Sequence, residues 1–129
     1  MAVTDRRAMH IWIGNFPTEE SLEAYFEESF SEDNDTPLNA FALDQGIGWY
    51  DHDGAEFMVH HDHDPCAAVL AHGYFTAEQQ RIEQALLNRS VESGNATVIV
   101  DASELDKGRD VIRDDFSLYY LGCFEAKLG

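Results

Sequence analysis

Between Ala8 and Gln80 the chain carries 15 carboxylates and not one lysine or arginine. Such a stretch folds only if it also holds enough apolar surface to offset charge repulsion and the ordering entropy of its backbone. It does: 44% of the 129 residues are hydrophobic and 12% are aromatic, enough for a packed core. A chain of this length is expected to make one domain over residues 1–129. It would bury roughly two-thirds of its unfolded surface, so folding requires neither a metal nor a disulfide.

The same stretch limits what the chain can bind. Residues 81–129 hold nine acids and six bases, so the formal net charge of −17 comes almost wholly from residues 8–80. Phosphate backbones and anionic membrane surfaces repel such a protein, which argues against nucleic acid and membrane as partners. A salt-adapted domain would be acidic from end to end, whereas one negative face steers a cationic partner and speeds its association. The uneven distribution favours the second reading.

Cys66 and Cys123 form no C-x-x-C pair and suggest no disulfide framework, as suits a reducing cytoplasm. Arg6 and Arg7 precede a short apolar stretch that His10 interrupts, with no small-residue cleavage site, so a signal peptide is rejected. No apolar run approaches the ~18–20 residues needed to span a bilayer. A soluble cytoplasmic protein is expected, with its oligomeric state open.

Met9 to Phe16 is rich in β-branched and aromatic residues and stops at Pro17, the pattern of a strand ending in a turn. Thr18 can cap a helix over 18–30, with Glu19 and Glu20 in its first turn and Leu22, Tyr25, Phe26 and Phe30 along one stripe. Its other faces carry Glu23, Glu27 and Glu28. Pro37 is placed to open a short helix through Asp44 that Gly46 ends. A strand at 57–60 and a short helix from Asp64-Pro65 to Gly73 follow. Thr76 to Gln79 has capping-box spacing and starts the longest helix, to about Glu92, which Gly94 closes. Strands are expected at 96–101 and 116–124, with residues 102–115 a polar turn. Three to four strands and about four helices without β-α alternation predict an α+β domain with a small mixed or mostly antiparallel sheet.

His60, His61, Asp62, His63 and Asp64 could bind Zn²⁺ or another divalent ion, making the chain a small metal-binding protein. The metallo-hydrolase motif H-x-H-x-D-H fails from His61, because Pro65 and Cys66 stand where it needs Asp and His. A polar loop ahead of a helix accounts for the run equally well. Asp51-x-Asp53-Gly54 matches only the opening of a calcium loop. There is no P-loop, dinucleotide fingerprint or nucleophile elbow, and no catalytic residue or cofactor is expected. His10 beside Trp12 reads as a packed residue. Trp49 and Tyr50, flanked by Asp51 and Asp53, read either as core or as an aromatic anchor in negative surroundings, the composition that grips a basic partner.

His10-Ile-Trp-Ile-Gly-Asn-Phe16, Glu19-Glu-x-Leu22-x-x-Tyr25-Phe26, Phe41-Ala-x-Asp44-x-Gly46-Ile-x-Trp49-Tyr50-Asp51-x-Asp53 and the late Leu121-Gly-x-Phe124 occur in that order. In order and spacing they resemble the immunity protein 22 family of bacterial polymorphic toxin systems. The resemblance implies a small cytoplasmic α+β protein that binds and neutralises a cognate toxin domain without chemistry of its own. The His-rich stretch at 60–63 lies outside it. Many intracellular toxins act on nucleic acid through basic clefts, which an acidic inhibitor could occupy as a phosphate surrogate. The expected contact residues are Trp49, Tyr50, Asp51, Asp53 and Glu56, with Glu23 and Glu27 as a second surface.

Overall fold

The first β-branched run becomes β1 (Arg6–Asn15), at the centre of a five-stranded sheet. The computed structural model describes residues 6–28, 39–47, 55–60 and 63–127. On one side β1 pairs with β3 (Ala96–Asp101), Ile11 standing opposite Ile99 and Trp12 opposite Val98. On the other it pairs with β5 (Ser117–Lys127). The edges are β2 (Ala55–Val59), against β3, and β4 (Val111–Ile112), against β5. Every pairing is antiparallel, in the order β2-β3-β1-β5-β4.

Five strands replace the three to four expected, and the added one is β4. Its two residues have no periodicity to read; pairing with Leu118 and Ser117 makes them a strand. The last strand begins one residue later and ends three residues beyond the expected span.

Both faces of the sheet are covered. Trp12, Val98 and Val100 face α1 (Glu19–Tyr25) and α2 (Ala40–Gln45), whereas Ile11, Ile13 and Ile99 face α3 (Pro65–Leu70) and α4 (Gln79–Asn88). The β1–β5 register shifts between Ile11 and Trp12, which stand opposite Gly122 and Tyr120. Leu121 is the extra residue, and Gly122 takes φ +132°, a conformation open to glycine. Without that shift Phe124 and Ala126 would turn away from the α3/α4 core that buries them.

The helices are shorter than the apolar spacing suggests. The Thr18 hydroxyl accepts from Ser21 N at 3.1 Å and the Ser21 hydroxyl accepts from Thr18 N at 3.2 Å, a reciprocal cap. α1 then ends at Tyr25, with Phe26 as its C-cap; Phe30 and Pro37 lie outside the described residues. The second helix opens at Asn39, whose side chain accepts from Ala42 N at 2.8 Å, and closes at Gly46 with φ +77° as a left-handed cap. In place of one helix to about Glu92, a 3₁₀ turn (Thr76–Glu78) leads into α4, which ends at Asn88, and no side chain caps either one. Ser90, at φ +57°, turns the chain before Gly94, which instead lets the backbone pass Ile13: a Cβ there would lie 2.7 Å from Ile13 Cγ1.

Candidate functional site

Burial of Leu22, Tyr25 and Phe26 against the sheet leaves Glu19, Glu20, Glu23 and Glu27 exposed along α1 and its end. Among the described residues none of these four meets a lysine or arginine. Elsewhere four arginines are taken up by carboxylates. Arg7 holds Asp101 at 3.1 Å, Arg113 holds Asp44 at 2.6 Å, Arg81 pairs with Glu78 and Arg89 with Asp110. The charge imbalance of the sequence thus survives folding as a local feature of α1.

Beside that helix stands an aromatic that sequence reasoning did not single out. Phe57, 39% exposed on the edge strand β2, stacks on Phe26 with ring centres 4.5 Å apart and planes at 10°. Its placement follows from strand alternation: Ala55, Phe57 and Val59 face α1, and Glu56 and Met58 face the other side. An exposed aromatic beside uncompensated carboxylates has the composition of an interface anchor for a basic partner.

Glu56 lies across the sheet from Glu23 and Glu27. The Nδ1–H of His72 donates to its carboxylate at 2.9 Å, and His72 Nε2 pairs with the Thr97 hydroxyl. Tyr74 also bonds to Glu56, and that bond, with the carboxylate's charge, pushes the phenol upward from its ordinary range. Glu56 therefore anchors the loop after α3.

Trp49, Tyr50, Asp51 and Asp53 lie outside the described residues, as do His61 and Asp62. Ile47 and Ala55, which flank the first segment, both pack against the α1/α2 core. Asp64 caps α3 by accepting from Cys66 N at 3.1 Å and Ala67 N at 3.3 Å, and the carbonyl of His63 accepts from Gly94 N at 3.0 Å. The His60 ring meets that of His72 edge-on at 6.1 Å, and its buried Nε2 has no partner among the described residues. Burial, then the His72 charge, lowers its pKa. Among the described residues no group of three His, Cys, Asp or Glu side chains converges as a metal would need. Burial pushes both thiols up, and Glu83 adds to the effect at Cys66; an activated nucleophile needs the opposite shift.

His10 is buried and doubly bonded. Its Nε2–H donates to Leu105 O at 2.7 Å, and its Nδ1 is hydrogen-bonded to the Tyr120 hydroxyl at 2.6 Å. It ties β1 to β5 and to the chain following β3, the packed role expected of it.

The profile of the Immunity protein 22 family matches residues 9–125, from within β1 to within β5. The chain belongs to that family. No curated protein and no solved structure matches it. Membership of the immunity protein 22 family gives the chain an immunity-type function, with a toxin as its partner in general terms. No described helix is long and apolar enough to cross a membrane.

Proposed function

We propose that this immunity 22 protein neutralises a cognate toxin domain by docking an acidic face onto a basic surface of that domain, in the cytoplasm and without chemistry of its own. The carrying observation is the row of exposed carboxylates on α1, without cations among the described residues and beside the exposed ring of Phe57. Glu23 and Glu27 supply charge and Phe57 supplies apolar contact. Trp49, Tyr50, Asp51 and Asp53 extend the surface on sequence grounds alone. Glu56, bound to His72 across the sheet, is better placed to hold the fold than to join them. A nucleic-acid-directed toxin presents a cleft built for phosphates, and carboxylates on a rigid helix would occupy it as substitutes. Attraction between the two faces would also speed encounter, as an inhibitor racing its toxin requires.

The test is binding to the cognate toxin domain, to be sought in the reading frame next to this chain's own, across a salt series. Affinity should fall steadily as salt rises, because exposed charges are screened beyond a Debye length of about 8 Å at physiological salt. Glu23→Gln with Glu27→Gln should slow association about tenfold at low salt and leave unfolding unchanged. Gln80→Lys with Gln84→Lys changes the charge equally, on the exposed part of α4 beyond the opposite face. That pair should have little effect. Salt-independent affinity would remove the electrostatic proposal, and equal losses from the two pairs would remove α1 from the interface.

A further inference from the structure

A second charged feature has the opposite sign. The peptide group of Arg109 is clamped by two buried side chains: its carbonyl accepts from Trp12 Nε1 at 3.1 Å and from Gln45 Nε2 at 3.0 Å, and its N–H donates to Gln45 Oε1 at 2.6 Å. Trp12 is fully buried and Gln45 is 3% exposed, so the clamp belongs to the core. The guanidinium lies over Gly46, where a Cβ would come within 2.9 Å of both terminal nitrogens. Glycine there serves twice, as the left-handed cap of α2 and as the floor for the cation. Arg109 and Lys107 border a cavity of about 700 Å³, with Gln45, Ile47 and Ser103 among its other walls.

Four other arginines, Arg7, Arg81, Arg89 and Arg113, each hold a carboxylate. Arg109 and Lys107 hold none among the described residues, in a chain of net charge −17. Glu104 and Asp106 line the same cavity, and neither forms an ion pair with them. A guanidinium carried on a clamped backbone, its donor fork without a partner among the described residues, suits one ligand group above others, a planar carboxylate bound through two parallel hydrogen bonds.

We propose that Arg109, with Lys107 beside it, receives a carboxylate of the toxin domain and so fixes the register of the complex. The proposal rests on the reading of the chain as a toxin-binding inhibitor. A free anion approaching this protein meets net repulsion, whereas a carboxylate on an already docked partner arrives with the attraction of the acidic face. Acid on base draws in many basic proteins; one cation that must meet one acid rejects partners lacking it.

The sign of the effect makes the test sharp. Arg109→Gln makes the inhibitor more negative, so a purely acid-on-base complex would bind as tightly as before or tighter. The proposal expects affinity for the same toxin domain to fall tenfold or more, mainly through faster dissociation. Arg109→Lys should recover part of the loss, and melting temperatures should match the parent. Unchanged or tighter binding by Arg109→Gln overturns the proposal. A fall in melting temperature that accounts for the loss also overturns it, since the guanidinium would then serve the fold. Failure of the parent protein to bind the toxin domain would instead sink the inhibitor reading itself, so the two failures are distinguishable.

Discussion

The two faces of the sheet are both buried, but they are built from different materials. Against α3 and α4 the core is mostly aliphatic: Ile11, Ile13, Val69, Ile82, Leu86, Ile99 and Leu121, with Phe75 and Phe124. Against α1 and α2 it is largely aromatic, with Trp12 edge-on to Phe41 at 5.1 Å and Phe16 stacked on Phe116 at 4.5 Å. Polar atoms thread that second core. The Tyr25 hydroxyl donates to Asp44 at 2.7 Å, and Trp12 and Gln45 both bind the carbonyl of Arg109. Aliphatic packing supplies cohesion with little directional demand, whereas rings with polar edges fix what lies beside them. The acidic helix and the clamped arginine both belong to the face that can hold them in place.

The largest expected effects come from cutting each core at its centre. Trp12→Ala should cost about 4 kcal/mol and Ile82→Ala about 3 kcal/mol, read by urea unfolding. Stability alone would not separate the faces, but toxin affinity measured where both variants are folded would. Loss of Trp12 removes one of the three bonds that clamp Arg109 and should weaken binding, whereas loss of Ile82 should leave it unchanged. Equal effects on binding would erase the division of labour.

Smaller effects are expected from adding one methyl group on each side. At Gly108 a Cβ would lie 2.3 Å from the Tyr120 ring and 2.5 Å from that of Trp12, so Gly108→Ala forces the aromatic core apart, at a cost of about 2 kcal/mol. Gly73 follows α3 with φ +85° and nothing within 4 Å of a built Cβ. There alanine meets only the left-handed backbone penalty, about 1 kcal/mol. The first substitution should also loosen the 103–109 loop, visible as faster amide exchange at Arg109. Exchange rates that change equally in both variants would show the loop to be independent of the aromatic packing.

Legibility in the sequence followed the range of the interactions. The strand from Met9, the β-branched run at Ala96, the acidic stripe of α1 and the glycine cap at Gly46 all depend on neighbours a few residues away. They stand close to where local pattern places them. β4 depends on a partner across a hairpin and carried no signal of its own. Closeness in the chain groups Glu56 with Asp51 and Asp53, yet strand alternation turns it toward His72, across the sheet from α1. Alternation from Ala55 would have separated Glu56 from Phe57. The Arg109 clamp joins residues 64 and 97 positions apart, and no motif announces it.

The smallest expected effect sets the pH response of the aliphatic side apart from binding on the aromatic side. Burial, with the neighbouring His72, holds the His60 pKa below its ordinary 6.5. The unfolded chain therefore takes up a proton at a higher pH than the folded protein does. This contribution to stability is fully present above pH 6.5 and is lost progressively as pH falls below it, levelling off once the folded protein also protonates. Melting temperature should decline on acidification through that window, and His60→Asn should make the decline shallower without abolishing it, since other groups also titrate. Because the ring lies against His72, across the sheet from α1, the substitution should leave the salt dependence of toxin binding as it was. An undiminished decline in the variant would show that the buried Nε2 of His60 takes no part in acid lability. An altered salt dependence would show that the two faces are coupled through β2 and β3, and the division between cohesive and orienting cores would then have to be redrawn.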